Sequence, residues 1–237
     1  MPIVRALLFY LGISLAMLVI VVFSPPILLL PYRWRYFYFT RWGRFAIWWL
    51  RITCRLDFRV EGLENIPQGT AIILAKHQSA WETIVMQQIF PPQTWVLKRE
   101  LFWIPLLGWA LIMMRSVGID RSGGKKALKQ VITQGTERLN DGLWMVIFPE
   151  GTRTSPGEKG RYAIGGAMLA EKSGYPVVPV CHNAGEFWPK KGFVKYPGTI
   201  TLVIGQPIDP QGKRAGEINA QVEEWIESTY QQITTRK

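Results

Sequence analysis

The sequence predicts an α/β protein, a sheet covered by helices, behind an N-terminal hydrophobic helical membrane segment. Ala6 to Leu30 carries no charged residue, and about 20 apolar residues suffice to cross the hydrocarbon core of a bilayer. From Asp57 onward, short β-rich runs alternate with longer runs of helical periodicity, as in a sheet with covering helices. A length of 237 residues gives room for one such domain with a full core plus an appendage. The expected division is a membrane-anchoring hydrophobic and aromatic/basic segment, residues 1–56, followed by a soluble domain, residues 57–237.

The uncharged run is interrupted only by Gly12, Ser14, Ser24 and Pro25-Pro26. Phe23-Ser24-Pro25-Pro26 offers no small-x-small cleavage site, so the run reads as a retained anchor and not as a removed signal peptide. Pro25-Pro26 can end a spanning helix or break a re-entrant one. Next comes Tyr32-Arg33-Trp34-Arg35-Tyr36-Phe37-Tyr38-Phe39, then Arg41-Trp42, Arg44-Phe45 and Trp48-Trp49, a composition that settles at lipid headgroups.

Lysine and arginine number 28 against 17 acids, a net +11. Residues 1–56 hold no acid and carry Arg5, Arg33, Arg35, Arg41, Arg44, Arg51 and Arg55, so +7 of that excess lies there. If the first segment spans, this excess on its C-terminal side places the rest of the chain in the cytoplasm. A nucleic-acid surface would leave the adjoining apolar run unexplained. Cys54 and Cys181 show neither disulfide nor zinc spacing, as expected in a reducing compartment with no structural metal.

In chain order the candidate strands are Leu56–Val60, Thr70–Ala75, Thr94–Leu97, Arg115–Ile119, Trp144–Phe148, Val177–Cys181 and Thr199–Ile204. The candidate helices are Ala80–Phe90, Leu101–Met113, Gly124–Asn140, Gly165–Lys172 and Ala215–Gln232. Gly/Pro punctuation at Gly62–Pro67, Pro91-Pro92, Pro149–Gly160 and Lys190–Gly198 marks the loops between them.

Of only two histidines, His77 stands where the apolar run Ala71–Ala75 gives way to a helical pattern, with Glu82 five positions later. A histidine oriented by a carboxylate is the usual apparatus for taking a proton from a hydroxyl. Five residues within one helix would turn the two side chains roughly 140° apart, so they meet only if His77 precedes the helix and Glu82 lies in its first turn. Ser79-Ala80-Trp81-Glu82 is also a capping box with Ser79 as N-cap, which gives Glu82 a purely structural alternative. The second histidine sits in Cys181-His182, but neighbours on a strand face opposite ways and make no thiol–base pair.

A second motif, Phe148-Pro149-Glu150-Gly151-Thr152-Arg153-Thr154, runs from an apolar strand into a polar turn. Strand ends are where α/β sheets place ligands; Gly151 would let backbone N–H groups approach an anion, and Arg153 brings a guanidinium fork suited to phosphate. An ordinary turn with a solvated arginine is the alternative. Val117-Gly118-Ile119-Asp120-Arg121 repeats the sequence of strand, acid and arginine. No P-loop spacing surrounds Gly123-Gly124-Lys125-Lys126, and no G-x-S-x-G elbow occurs, so nucleotide hydrolysis and serine-esterase chemistry have no carrier.

Taken in this order, the blocks resemble the 1-acylglycerol-3-phosphate (lysophosphatidic acid) acyltransferase family of glycerolipid acyltransferases. His77 and Glu82 match its His-x4-Asp block, and Gly118, Asp120 and Arg121 loosely match its second. Phe148 to Arg153 match Phe-Pro-Glu-Gly-Thr-Arg in full, and Val178-Pro179-Val180 match the fourth. The likeness covers roughly Val60 to Gly205. Glu82 departs from the more usual Asp by one methylene, and Ala163 stands where the family commonly has lysine, removing any anion contact that lysine makes.

The resemblance implies a mixed sheet covered by helices and a membrane-bound enzyme of phospholipid biosynthesis. Neutral His77 would take the proton of the free sn-2 hydroxyl of lysophosphatidic acid as it attacks an acyl thioester, with Glu82 orienting the ring and the product being phosphatidic acid. Arg153 and Arg121 would hold the acceptor's phosphate beside Glu150, Gly151 and Thr152, and Lys98 is a further candidate for that anionic pocket. The implied partners are a lysophospholipid acceptor, acyl carrier protein or coenzyme A as thioester co-substrate, and membrane lipids, with no nucleic acid and no other cofactor. The implied location is a bacterial inner membrane with the catalytic domain on the cytoplasmic side. The alternatives are acylation of glycerol-3-phosphate or another lysophospholipid, and a non-catalytic membrane lipid-binding protein in which the His77 block only caps a helix.

Overall fold

The computed structural model describes residues 1–105, 107–120 and 122–235. Helix α1 (Pro2–Val22) is followed by Ser24, whose hydroxyl donates to the Val21 carbonyl at 2.8 Å. Pro25 and Pro26 then open a 3-10 turn, Pro25–Leu29, because proline cannot continue the helical ladder. The expected uncharged segment is therefore a helix followed by a turn. The chain returns in α2 (Tyr32–Cys54), antiparallel to α1. Tyr38 Oη, Trp42 Nε1 and Trp49 Nε1 donate to the carbonyls of Ile20, Ile13 and Leu8 at 2.8, 3.0 and 3.0 Å. Gly12 permits this closeness, since a Cβ there would lie 2.1 Å from Trp49 Nε1.

Among the described residues seven strands follow: β1 (Leu56–Glu61), β2 (Ile72–Ala75), β3 (Gln93–Lys98), β4 (Val117–Ile119), β5 (Trp144–Ile147), β6 (Val177–His182) and β7 (Gly198–Ile204). They form one sheet in the order β1-β7-β6-β2-β5-β3-β4, with every pairing parallel except β6 against β7. The mixed sheet is thus as expected. Every residue of β2, β5 and β6 is buried, as in strands covered on both faces.

The remaining helices are α3 (Trp81–Ile89), α4 (Leu107–Met113), α5 (Gly124–Asn140), α6 (Gly165–Ser173), α7 (Ala184–Phe187) and α8 (Ala215–Ile233). One face of the sheet packs in a cluster with α3 and the α1–α2 hairpin through Ile73, Trp81, Val85, Val180, Phe9 and Leu50. The other face packs against α5, α6 and α8 through Ile72, Leu74, Met145, Leu139, Leu169 and Ile226.

Two expectations are corrected. The single helix Leu101–Met113 is instead a 3-10 turn, Arg99–Trp103, followed by α4, because Ile104 ahead of Pro105 is extended (φ −74, ψ 119). The strand expected from Arg115 begins at Val117, since Arg115 takes a left-handed conformation (φ 56) as it leaves α4.

Candidate active site

β2 and β5 are parallel neighbours, and the two polar motifs leave their carboxyl ends side by side. His77 precedes α3 and Glu82 lies in its first turn, so the pair meets as the spacing requires, with His77 Nδ1 at 2.8 Å from Glu82 Oε1. Glu82 is wholly buried, and the same oxygen accepts the backbone N–H groups of Gln78 (2.9 Å) and Ser79 (2.8 Å). Ser79 Oγ accepts the Trp81 N–H at 3.2 Å, although the N-cap position belongs to Ala80. One carboxylate therefore both closes the helix start and holds the imidazole. With Nδ1–H donated to it, Nε2 carries the ring's lone pair. The ring stacks on Phe148 with centroids 3.9 Å apart and lines a cavity.

Burial pushes the pKa of Glu82 up. The facing His182, the His77 hydrogen bond and charge, and the Ser79 N–H outweigh this and hold it below the usual carboxylate range. His182 is buried, with Nε2 at 2.9 Å from the Lys76 carbonyl and Nδ1 accepting the Ala184 N–H at 3.2 Å. These contacts define a neutral ring, and burial lowers its pKa against the pull of Glu82. Its Nε2 lies 3.9 Å from Glu82 Oε2, walling off the carboxylate from behind. Cys181 turns to the opposite face and donates to the Ile226 carbonyl, as strand alternation requires.

The second motif turns tightly, with the Gly151 N–H on the Phe148 carbonyl at 3.0 Å and Gly151 at φ 68. Arg153 and Thr152 border the His77 cavity, but Glu150 does not. Glu150 Oε1 accepts from Lys76 Nζ (3.0 Å) and Thr154 Oγ1 (3.2 Å), and Oε2 accepts the His77 N–H (2.7 Å). Thr154 N–H in turn donates to the His77 carbonyl at 2.8 Å. Glu150, expected among the substrate contacts, does not line the cavity: a buried carboxylate held by three protein contacts locks the two motifs together. Lys76, fully buried, also reaches Glu227 at 2.8 Å. Burial lowers its pKa, but Glu150 and Glu227 outweigh that and keep it charged.

Lys98 ends β3 half-exposed, 3.5 Å from Glu100, and is not among the residues lining the cavity. Arg121 lies outside the described residues. Asp120 pairs with Arg99 at 3.0 Å. Two cations that the sequence did not single out, Lys190 and Lys191, complete the cavity of about 440 Å³ around His77, Gly151, Thr152 and Arg153. Gly151 also borders a second cavity of about 430 Å³, where no charged described residue occurs and the walls include Val96, Leu128, Val131, Phe148 and Ala163. The arrangement thus joins a base, a cationic basin and an apolar recess at one turn.

A model of the acyltransferase family matches residues 57–183. A 1-acyl-sn-glycerol-3-phosphate acyltransferase of Pseudomonas aeruginosa is 45% identical over 98% of this chain and 92% of its own. A chloroplastic 1-acyl-sn-glycerol-3-phosphate acyltransferase of Arabidopsis thaliana is 29% identical over 83% of this chain, which spans 56% of that longer protein. The crystal structure of the 1-acyl-sn-glycerophosphate (LPA) acyltransferase of Thermotoga maritima matches with a TM-score of 0.81 at 27% identity, covering 100% of this chain and 99% of that one.

Proposed function

The chain belongs to the acyltransferase family, among its 1-acyl-sn-glycerol-3-phosphate acyltransferases, and from that premise we propose that His77 is the general base of the reaction. The enzyme esterifies lysophosphatidic acid to phosphatidic acid. His77 Nε2 takes the proton of the acceptor hydroxyl as its oxygen bonds to the thioester carbonyl carbon. The C–S bond then breaks, the ester remains on the acceptor, and the imidazolium returns the proton to the leaving thiolate. Glu82 fixes the tautomer and stabilises the imidazolium. Arg153 grips the acceptor's phosphate, turning binding energy into orientation of the hydroxyl. The apolar recess beside Gly151 takes an acyl chain, and acyl carrier protein or coenzyme A carries the donor.

The single observation behind this reading is the 2.8 Å contact between His77 Nδ1 and a buried Glu82 at the rim of a cationic cavity. The helix-cap alternative for Glu82 is not a rival, since cap and clamp are one carboxylate. Helix α1, the one helix among the described residues that is long and apolar enough to cross a membrane, supports membrane association. We read residues 1–56 as the anchor and 57–237 as the acyltransferase domain, on the cytoplasmic face of a bacterial inner membrane. In folded His77→Ala protein, thioester consumption with lysophosphatidic acid should fall by at least about a hundredfold. Near-normal turnover would remove the base from this mechanism.

A further inference from the structure

Between α7 and β7 the chain forms a strap, Trp188 to Tyr196, closed at its base by the Tyr196 N–H on the Phe187 carbonyl at 2.8 Å. Its outer turn exposes Lys190 and Lys191 toward the cavity that holds His77 and Arg153. Its inner end buries Lys195, whose ammonium lies 3.5 Å from the ring centre of Tyr10, 4.7 Å from that of Trp188 and 5.2 Å from that of Phe9. Tyr10 also stacks on Phe193 at 5.0 Å. Lys190 reaches Glu158 at 3.5 Å, and Glu158 accepts the Ser155 N–H at 2.9 Å in the turn that carries Arg153. The strap is thus pinned at α1 and again at the Arg153 turn, which fixes where its two lysines stand.

The described residues lining this cavity include no acid, and among described residues the side chains of Arg153 and Lys191 form no ion pair or hydrogen bond. Such a basin suits an anion of more than one charge. A phosphate monoester carries about −1.5 to −2 at neutral pH, its second pKa being about 6, whereas a phosphodiester carries one charge. Arg153 supplies one planar fork and one positive charge. We propose that Lys190 and Lys191 form the second wall of the acceptor's phosphate site and select a phosphate-monoester lysolipid over a phosphodiester one. The inference rests on the reading that the acceptor hydroxyl is activated by His77.

The test is steady-state kinetics of the full-length Lys190→Gln/Lys191→Gln protein, with lysophosphatidic acid and lysophosphatidylglycerol as acceptors and coenzyme A and carrier-protein thioesters as donors. The KM for lysophosphatidic acid should rise roughly tenfold, the size expected for losing partly exposed charge pairs with a dianion. The kcat and the KM for either donor should stay put, and the preference for monoester over diester should shrink. Lys190→Arg/Lys191→Arg should keep the preference, and a thermal midpoint equal to that of the native protein marks both variants as folded. An unchanged preference, or a rise in donor KM alone, overturns the proposal; the latter would assign the lysines to the thioester's own phosphate. Binding of 2-deoxy-lysophosphatidic acid, which has no hydroxyl to acylate, should weaken in the glutamine variant. It depends on the phosphate site and not on His77, so a wrong base and a wrong phosphate wall give different results.

Discussion

At the scale of single residues, Glu82 bears two duties on one oxygen. Glu82→Gln keeps an oxygen for the Ser79 N–H but removes the charge that stabilises a protonated His77, and it leaves a buried amide group facing His182. Turnover should fall by at least about a hundredfold while α3 stays in place. A pH series separates charge from shape. Glu82 titrates below its ordinary value of 4.5 in the fold. A carboxyl depressed in this way contributes stability that is complete above its unfolded pKa and is lost as pH falls through the folded one. The stability gap between native and Glu82→Gln proteins, read from denaturant midpoints, should be widest near neutrality and narrow below about pH 4. A gap that is constant with pH would mean the carboxylate gains nothing from its charge.

At the scale of elements, what was legible in the sequence is what is local. The His77–Glu82 pair could be read because its five-residue spacing works at a strand-to-helix boundary and fails inside a helix. Lys76, His182 and the strap lysines could not, since each takes its meaning from residues about 30 to 110 positions away. Helix α2 was hidden for another reason: the stripe it buries, Tyr36, Thr40, Gly43, Ala46, Leu50, Thr53 and Cys54, is made largely of small and polar residues, and the aromatics crowding its other faces mask that stripe in the sequence. The strap shows how such distant elements are fastened. Burial pulls the Lys195 pKa down from 10.5 to about 8, against a weaker upward pull from Cys54. Between those values the unfolded chain holds a proton that the folded one has released, so stability should rise with pH across that window. Lys195→Met fills the aromatic cage without a charge and should lack the rise in thermal midpoint. If the slope persisted in Lys195→Met, the titrating group would lie elsewhere.

At the scale of the whole molecule, anchor and enzyme share one core. Phe9, Tyr36, Ala46, Leu50 and Cys54 pack in the same cluster as Trp81, Val85 and Val180, so deleting residues 1–56 would strip the domain as well as detach it. Point changes test the anchor better. Helix α1 is 21 residues, about 31 Å, and so long enough to cross a bilayer. It exposes Leu7, Leu8, Leu11, Leu15, Leu18 and Val22 along its length. Yet it is bonded along its length to α2, where Arg33, Arg41, Arg44 and Arg51 are exposed, and α2 packs on α3 and α4. Carrying each arginine to the bilayer centre would cost about 2.5–3.5 kcal/mol or more, and α2 could not follow without the catalytic domain. We therefore expect the hairpin to sit in one leaflet, with its apolar stripe inserted and its arginines at the headgroups. Hydrophobic insertion resists salt, whereas attraction to anionic lipid is screened within about 10 Å at 0.1 M, so high salt should leave the protein on membranes. Leu29, exposed at the hairpin turn, reports the depth. Cys54 and Cys181 are buried and should stay silent, so in Leu29→Cys protein, and in Ile3→Cys protein whose reporter is exposed at the other end of α1, an impermeant maleimide added to the outer face of the inner membrane should label nothing. Labelling from that face would show that α1 crosses, and that α1 and α2 part from the arrangement in which they are packed here.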